Sequence, residues 1–391
     1  MINNKYLNVL SISSYGADLS ENSDNVFSGA QLRQIDYSKF FNKYIIIVPS
    51  KKVFENKRIE LSDNLFVYSI YANNKLIFLI KAYIKSCKII RTENINLISS
   101  DNPFDSGFIG VLLKLRFRVT LLVHSMAEMI DNRYYIRERF FNFFKNLLAK
   151  VVCFFADYVR VSTNTEIERM AGRGFNKKKL LKAGFYIDGE RFENAELDQN
   201  LKDTILQGKY DKIVLYLGRI ALQKDIKTLL FSVPDVIKRF PKTLFLIIGD
   251  GPEMNNIKKT VKKLKINNNV VLLGRVKYND VPKYYKIADI FCATSIYEGT
   301  CMTLHEAAAS RLPIIATKFA GAVDLIKNEE NGYLVEIDDS LDLSDKLKNI
   351  LSEPNKIRVM GENNYKIFKN FLDKEKILQE HKAFFEYIKN N

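Results

Sequence analysis

The sequence predicts an α/β protein built from two doubly wound, Rossmann-like domains. Short and nearly continuous apolar runs, such as YIIIVPS and TLFLIIG, are typical of strands that are buried on both faces of a parallel sheet. Longer stretches with helical spacing separate these runs, which indicates right-handed βαβ crossovers. The alternation occurs twice in 391 residues, a length that one hydrophobic core seldom organises, so two domains are expected.

The expected strands follow one another in a clear order along the chain. They are LNVLSIS, YIIIVPS, INLISS, RVTLLVHS and DYVRVST in the first half, and KIVLYLG, TLFLIIG, NVVLLG, DIFCATS and PIIAT in the second. Polar and irregular text around residues 195–210 predicts a linker. We therefore expect a first domain over residues 1–195 and a second over residues 196–370.

A closing helix is expected over residues 371–391. Its apolar residues Phe371, Ile377, Phe384 and Ile388 recur at helical spacing. Such a stripe is typical of a terminal helix that lies across another surface, and we expect this one to cross back to the first domain.

The composition excludes several classes of protein. Apolar residues make up 47% of the chain and aromatic residues 12%, which is too apolar for a disordered protein. No stretch approaches the ~20 uninterrupted apolar residues of a membrane-spanning helix. The four cysteines lie far apart in apolar surroundings, which favours a reduced, cytoplasmic protein without structural zinc.

The formal charge is +15, and most of the excess lies in residues 1–195. Such a field favours polyanionic or phosphorylated partners, although a lysine-rich surface without a function explains it equally well. The chain lacks a clustered aromatic and basic motif for recognising nucleic acid, so no nucleic acid partner is expected.

Ligands of open parallel sheets bind beyond the carboxyl ends of the strands, so the loops at those ends are expected to carry the chemistry. In GRIALQK, Arg219 and Lys224 follow a strand. Two cations at that edge suit a diphosphate, although a solvated basic loop has the same pattern. In GDGPE, Gly249 turns a strand into a helix and permits the close approach of a ligand, and an ordinary capped turn is the alternative.

The stretch IYEGTCMTLHEAAASR comes directly after the strand DIFCATS and predicts a loop followed by a helix. A helix that begins near Thr300 leaves its first backbone N–H groups without partners inside the helix, and these groups carry partial positive charge. The free groups expected are those of Cys301, Met302, Thr303 and Leu304. They are suited to binding a phosphate.

Two glutamates flank this helix start. Glu298 lies in the loop ahead of it, and Glu306 lies about a turn inside the helix. Each carboxylate can accept hydrogen bonds from vicinal sugar hydroxyls. The alternatives are a favourable anion near a helix start for Glu298 and a solvated helix residue for Glu306.

The order of these motifs resembles that of a known family. The series GRIALQK, GDGPE, VVLLGRV, YYKIADIFCATSIYEGTCMTLHEAAASRLPIIAT, AGAVDLI and NGYLV resembles retaining glycosyltransferases of the GT-B fold, in glycosyltransferase family 4 (glycosyl transferases group 1), which includes bacterial enzymes of surface-polysaccharide synthesis. The resemblance covers residues 211 to about 340. It implies two domains that face each other across a cleft.

The resemblance also implies an activity. A hexose-type sugar would pass from a nucleotide diphosphate sugar to a glycan or polyprenyl-diphosphate-linked acceptor, with retention of the anomeric configuration. A UDP-sugar is favoured over a GDP-sugar as the donor. Because the chain contains no Asp-x-Asp pair, no metal or other cofactor is expected. The alternative function is a non-catalytic protein that binds a nucleotide sugar or a polyanion.

Each matching residue of the second domain takes a role from this resemblance. Arg219 and Lys224 would neutralise the donor diphosphate, Glu298 would face the transferred sugar, and Glu306 would hold the ribose hydroxyls. The further donor contacts implied, to the distal phosphate, the sugar and the base, are Gly249, Arg275, Val276, Gly299, Thr300, Cys301, Met302 and Thr303.

The first domain contributes two implied site residues. NVFSGAQ, residues 25–31, stands where the family has a glycine-rich loop over the phosphates, and Gly29 is the expected donor contact. His124 ends the strand run RVTLLVHS and corresponds to a histidine beside the anomeric carbon. In the same-face reaction that the family favours, the departing phosphate oxygen takes the acceptor proton. Glu298 then positions the sugar and is not a nucleophile.

The segment 131–158 mixes arginines and lysines with many aromatic residues at helical spacing. It predicts either a face that lies in an anionic membrane interface, near a lipid-linked acceptor, or a core helix whose Phe side chains pack on the sheet. The first reading implies an enzyme at the inner face of the cell membrane.

Overall fold

The computed structural model describes residues 7–14, 19, 29–50 and 58–391. The chain forms two compact units. The first contains the chain up to Ser162, Glu166–Ala183 and Leu378–Asn391, and the second contains Thr163–Thr165 and Gly184–Ile377.

The first unit is built on an eight-stranded sheet. Its strands are β1 (Leu7–Ile12), β2 (Phe41–Ser50), β3 (Arg58–Ser62), β4 (Leu65–Tyr71), β5 (Leu97–Ser100), β6 (Thr120–His124), β7 (Tyr158–Val161) and β8 (Leu180–Lys182), in the order β3-β4-β2-β1-β5-β6-β7-β8. Every neighbouring pair is parallel except β3 with β4. Every residue of β1 and β5 is buried, as expected for strands that are covered on both faces.

The segments between these strands are mostly helical. They form α1 (Gly29–Ser38), α2 (Lys75–Thr92), α3 (Asp105–Phe117), α4 (Arg133–Glu138), α5 (Phe140–Phe155), α6 (Asn164–Ala171) and a 3₁₀ turn at Lys177–Lys179. Helices α2, α3 and α5 connect β4, β5, β6 and β7 in turn, always in the same direction across the sheet. Right-handed crossovers therefore place these three helices on one face.

The second unit is built on a six-stranded, fully parallel sheet. Its strands are β9 (Lys212–Leu217), β10 (Thr243–Ile248), β11 (Val270–Gly274), β12 (Ile290–Ala293), β13 (Ile314–Thr317) and β14 (Gly332–Val335), in the order β11-β10-β9-β12-β13-β14. Along β9, Ile213 and Leu215 enter one core while Val214 and Tyr216 enter the other. Apolar layers thus cover both faces, and the predicted α/β fold with two parallel, Rossmann-like sheets is confirmed.

Nine helices follow in the second unit, and a tenth closes the chain. They are α7 (Glu190–Glu193), α8 (Gln199–Leu206), α9 (Ile226–Arg239), α10 (Met254–Leu264), α11 (Val281–Ile287), α12 (Met302–Ala309), α13 (Ala320–Leu325), α14 (Ser340–Leu351), α15 (Pro354–Ile367) and α16 (Lys374–Asn390), with 3₁₀ turns at Leu222–Lys224 and Tyr278–Asp280 and a π-helical segment at Phe368–Leu372.

The last turns of α16 belong to the first unit. Phe384, Phe385 and Ile388 join the buried cluster that contains Val9 and Phe41. The rings of Phe385 and Phe41 meet edge to face with their centroids 4.7 Å apart. Burial of these aromatic groups fixes the closing helix on the sheet.

The segment 131–158 differs from the predicted core helix. It is two helices, α4 and α5, because Arg139 between them has extended backbone angles. The side of α5 that is buried carries Asn142, Asn146 and Ala149, whereas its phenylalanines are exposed. The alternative of a core helix whose Phe side chains pack on the sheet is therefore wrong.

The loops after β9, β10 and β11 are hydrogen-bonded to one another at the carboxyl edge of the second sheet. Gly218 N donates to Ile248 O at 3.0 Å, and Gly249 N donates to Gly274 O at 2.8 Å. A Cβ at Gly249 would lie only 1.8 Å from the carbonyl oxygen of Gly218, and φ at Gly249 is +135°. Only glycine fits this crossing of two backbones.

We expect Gly249→Ala to lower the free energy of unfolding by about 3 kcal/mol or more, because it adds a backbone clash to an unfavourable φ. Gly208→Ala is the matched control: Gly208 also has a positive φ, +65°, but a Cβ there meets nothing within 4 Å. That control should cost about 1 kcal/mol. Urea unfolding of both variants measures the difference, and equal losses would contradict the close packing of the two loops.

Candidate functional site

Lys224 and Glu298 form an ion pair at the carboxyl edge of the second sheet. Lys224 ends the 3₁₀ turn after β9, and Glu298 lies in the loop that leaves β12. The Lys224 Nζ donates to the two carboxylate oxygens of Glu298 at 2.6 and 2.7 Å, and Ser295 Oγ donates to one of them at 3.0 Å. The side chains of the pair are only 17% and 18% exposed. Two predicted site residues are thus in direct contact.

The two loops that carry this pair are tied together by their backbones. Ile296 N donates to Gln223 O at 2.8 Å, and Gln223 Nε2 donates to Tyr297 O at 2.7 Å. Thr294 Oγ1 donates to the carbonyl of Lys224 at 3.0 Å. The position of the lysine is therefore fixed before any ligand arrives.

The electrostatic setting keeps the lysine charged. Burial lowers the pKa of Lys224, but neighbouring Cys301 and Glu298 raise it, and the net pKa lies above the ordinary value. Burial raises the pKa of the Cys301 thiol to about 12. Since that thiol is neutral at physiological pH, the carboxylate of Glu298 is the anion that holds the charge on Lys224.

Arg219 offers a second cation at the same edge. It is exposed, and within the described ranges it has no carboxylate partner. Its backbone is anchored, because Tyr216 Oη donates to the Arg219 carbonyl at 3.2 Å. The guanidinium is therefore available to an anion.

The remaining loop residues of this edge lie where the sequence predicted them. Gly249 follows β10, and Arg275 and Val276 follow β11. The side chain of Arg275 is mostly exposed, with its Nε 3.8 Å from Asp250 Oδ2. Val276 packs against the core beside the sheet. This loop thus presents backbone and a guanidinium to a ligand.

The start of α12 differs slightly from its prediction. The helix begins at Met302 with Cys301 as its N-cap, not near Thr300, and no side chain caps it. Leu304 N donates to Cys301 O at 2.9 Å, so the amide of Leu304 is not free, contrary to expectation. The groups that helix geometry leaves for an anion are the amides of Met302 and Thr303.

The loop Gly299–Thr300 lies against the start of α13. A Cβ at Gly321 would lie 2.1 Å from the carbonyl oxygen of Gly299, so the two backbones are in close contact. Gly321 N also points at Glu298 O, 3.4 Å away. The loop that carries Glu298 is therefore supported from both sides.

Glu306 lies inside α12 and is buried, so the alternative of a solvated helix residue is wrong. Tyr285 Oη donates to Glu306 Oε2 at 2.8 Å. Burial raises the pKa of Glu306 to about 7, although the Tyr285 hydrogen bond and Arg191 oppose the rise. The second oxygen, Oε1, is left to accept from a ligand hydroxyl.

Two predicted residues belong to the first unit. His124 is the last residue of β6, and Ser99 Oγ lies 3.0 Å from its Nε2. Burial, together with Arg160 and His381, holds the pKa of His124 well below its usual range, so the ring is neutral. Gly29 is the first residue of α1. Residues 25–28 of the same predicted loop lie outside the described residues.

Sequence reasoning missed three side chains that orient the site. Tyr285 holds Glu306, Ser295 holds Glu298, and Gln223 joins the two loops. Tyr285 looks like any buried aromatic residue of an amphipathic helix. No local pattern marks it, because its partner is 21 residues away.

Comparison with known proteins identifies a family match. Residues 198–367 match the model of the family described as "Glycosyl transferases group 1". The chain is 26% identical over 290 residues to the alpha-monoglucosyldiacylglycerol synthase of Streptococcus pneumoniae, an alignment that covers 72% of this chain and 61% of that relative. The chain thus spans less than two thirds of this relative's length.

Two further proteins are similar over different lengths. A UDP-Gal:alpha-D-GlcNAc-diphosphoundecaprenol alpha-1,3-galactosyltransferase of Escherichia coli is 32% identical over 157 residues, 39% of this chain and 40% of the relative. The crystal structure of Anabaena HepE in complex with UDP aligns with a TM-score of 0.73 at 16% identity, covering 98% of this chain and 100% of that one. This last likeness establishes the fold.

The raised pKa of Glu306 predicts a pH-dependent stability. Because the folded pKa of about 7 exceeds the ordinary value of 4.5, the folded state binds the proton more tightly. The stabilisation is complete below the ordinary pKa and is lost as pH rises through the folded pKa. Glu306→Gln, which stays neutral, should therefore gain up to about 3 kcal/mol over the parent at about pH 8 and less than about 1 kcal/mol at about pH 5. Denaturant melts at both pH values test this. A gain that is the same at both would contradict a buried, titrating Glu306.

Proposed function

From the match of residues 198–367 to the model of the glycosyl transferases group 1 family, we propose that the chain transfers a sugar from a nucleoside diphosphate sugar to a glycan or lipid-linked acceptor. The observation that carries the proposal is the convergence, at one sheet edge, of two cations, two carboxylates and a helix start. Arg219 and Lys224 supply the positive charge, and Glu298 and Glu306 supply the acceptors for hydroxyl groups.

The cations act on the diphosphate of the donor. As the glycosidic bond breaks, negative charge grows on the leaving phosphate. Arg219, Lys224 and the amides of Met302 and Thr303 stabilise that charge from fixed positions. Because protein cations neutralise the phosphates, the proposal needs no metal ion.

Lys224 exchanges partners when the donor binds. Its ammonium is held by Glu298 in a place that is largely closed to water. A diphosphate competes for the same ammonium with more negative charge than one carboxylate has. Glu298 is then released towards the hydroxyls of the sugar, while Ser295 continues to hold one of its oxygens.

Glu306 binds the ribose. An ionised carboxylate accepts from two vicinal hydroxyls, and Tyr285 fixes its rotamer from the opposite side. The backbone of Gly249, Arg275 and Val276 lies against the base. A uridine nucleotide is favoured, and the names of the Escherichia coli relative and of the HepE complex, which mention UDP-Gal and UDP, support this choice.

We propose that the configuration is retained. Once Lys224 has turned to the diphosphate, Ser295 still engages one oxygen of Glu298, so the carboxylate is suited to holding a sugar and poorly suited to nucleophilic attack. We therefore favour the same-face reaction, in which the leaving phosphate oxygen takes the proton of the acceptor. His124, neutral at physiological pH, acts as a hydrogen-bonding group towards the sugar.

The acceptor is proposed to be lipid-linked, and the enzyme to work at the inner face of the cell membrane. The names of two relatives, which contain a diacylglycerol and a diphosphoundecaprenol, support this class of acceptor. The competing function, a non-catalytic protein that binds a nucleotide sugar or polyanion, predicts binding without turnover.

The experiment begins with a panel of nucleotide sugars tested for thermal stabilisation of the full chain. The one that binds is then supplied with radiolabelled sugar, and both hydrolysis and transfer to a lipid extract are measured. Turnover of the labelled donor supports the transferase, whereas stabilisation without any turnover supports the binding protein.

Arg219→Ala and Lys224→Ala should each lower turnover by about a hundredfold or more, because each removes a charge that stabilises the leaving diphosphate. Lys238→Ala and Arg239→Ala are matched controls, since they remove the same two residue types from the last turn of α9, away from the carboxyl ends of the strands. The controls should keep the parent rate. Near-parent turnover by both site variants would overturn the assignment of the diphosphate site.

A further inference from the structure

The exposed apolar side chains of this protein are concentrated on three helices of the first unit. Among the described residues, 24 large hydrophobic side chains are exposed, and 15 of them lie on α2, α3 and α5. They are Leu76, Ile77, Ile80 and Ile84 on α2, Phe108, Leu112 and Leu115 on α3, and Phe140, Phe141, Phe143, Phe144, Leu147, Val151, Phe154 and Phe155 on α5. Single exposed apolar groups are normal, but such a concentration indicates an interaction surface.

Helix α5 is packed with its more polar side inward. Asn142 Nδ2 donates to Tyr135 O at 2.8 Å, and Asn146 Nδ2 donates to Asp131 Oδ1 at 3.1 Å. These hydrogen bonds satisfy the asparagines beneath the helix, so its apolar side is left facing outward. Phe140 and Phe141 are 77% and 72% exposed. A helix that only had to cover the core would bury these rings.

The three helices form one continuous surface. They lie on the same face of the eight-stranded sheet, and α3 contacts both α2 and α5. On each helix the exposed apolar residues recur every three or four positions, opposite the buried side. We call this surface, made of the outward sides of α2, α3 and α5, the three-helix face.

The charged side chains of these helices are almost all cationic, and three of the cations, Lys75, Lys114 and Lys150, form ion pairs with aspartates. The cations of the three helices are Lys75, Lys81, Lys85, Lys88, Arg91, Lys114, Arg116, Lys145 and Lys150, and the one carboxylate is Asp105. An open groove of about 420 Å³ runs between α2 and α3. It is lined by Lys88, Arg91 and Arg116 beside Tyr83 and Ile84. Three cations beside apolar walls suit the phosphate of a lipid headgroup.

We propose that the three-helix face docks on the surface of an anionic phospholipid bilayer, with the phenylalanines of α5 at the boundary of the acyl chains and the groove cations on lipid phosphates. Charge complementarity favours an anionic bilayer over a second copy of the chain, because a second copy would bring the same positive charge to the interface. In the described part of the chain, no helix is long and apolar enough to cross a bilayer.

The position of the three-helix face within the first unit relates docking to the acceptor, an inference that rests on the proposed function. Helices of βαβ units begin at the carboxyl edge of the sheet, so the Phe-rich start of α5 lies towards the edge where β6 ends at His124. A bilayer against this face holds lipid-linked acceptors near that edge. Binding to lipid does not require sugar transfer, so a failure to bind vesicles would not contradict the proposed transferase activity.

Vesicle flotation of the full chain tests the proposal. The probes are vesicles of phosphatidylcholine alone and of phosphatidylcholine mixed with phosphatidylglycerol, each at low and high salt. We expect the protein to float with the anionic vesicles at low salt, to float far less with the neutral ones, and to lose binding as salt rises. No flotation with anionic vesicles at low salt would overturn the proposal.

Two variants separate the face from the net charge. Phe141→Glu with Phe144→Glu, and Lys88→Gln with Arg91→Gln and Arg116→Gln, should each reduce the bound fraction about tenfold or more. The controls are Phe231→Glu with Leu341→Glu, which alters exposed apolar residues of the second unit, and Lys258→Gln with Lys259→Gln and Lys262→Gln, which removes three exposed charges from α10. The controls should bind within about twofold of the parent.

Other results are also decisive. Equal losses in the face variants and the control variants would assign binding to overall charge and overturn the docking face. A different result would be that the parent binds no vesicles, that sedimentation shows it to be a dimer, and that Phe141→Glu with Phe144→Glu converts it to a monomer. That result would assign the face to a second copy of the chain and overturn docking on a bilayer. Thermal melts confirm that each variant is folded.

Discussion

The ion pair of Lys224 and Glu298 is the interaction on which the candidate site depends. It joins the loops after two neighbouring strands, and the hydrogen bonds of Gln223 and Thr294 hold those loops in register around it. A largely buried pair of this kind adds little net stability, because removing two charges from water costs about as much as their attraction returns. Its importance is positional. The pair keeps the Lys224 ammonium charged and fixed in position, at a place that is largely closed to water.

The two units share one architecture but present their charges in different places. In each unit, the central strands of a mainly parallel sheet are buried on both faces, and the groups proposed to meet a ligand lie on the loops or helices around the sheet. The second unit places its charges in loops at the strand ends, where backbone contacts such as that of Gly249 with Gly218 make the geometry rigid. The first unit carries its charges on helix surfaces, beside exposed phenylalanines. The charged loops of the second unit suit a small anion, and the charged helix surfaces of the first unit suit an extended anionic surface.

Much of this organisation could be predicted from the sequence, and the errors have a common cause. The strands of the second sheet and the loops that bear Arg219 and Glu298 were predicted because apolar runs and glycine turns are local signals. The contact of Lys224 with Glu298 was not, since the two residues are 74 positions apart and either one alone looks like a loop residue. Periodicity found the stripe of phenylalanines on α5 but could not say which side of the helix meets the sheet. That choice depends on Asn142 and Asn146, whose partners lie in other segments. The hairpin of β3 and β4 was also missed, because its strands are short and only partly buried.

The central claim is that Lys224 breaks its ion pair with Glu298 when Lys224 binds a diphosphate. Isothermal titration of the parent and of Glu298→Gln with the nucleoside diphosphate, in the absence of sugar, tests it most directly. If the two anions compete for one ammonium, removing the charge of Glu298 should tighten binding of the nucleoside diphosphate about fivefold, while sugar transfer falls. Weaker or unchanged binding by Glu298→Gln would contradict the exchange and would leave the ion pair as a structural contact alone.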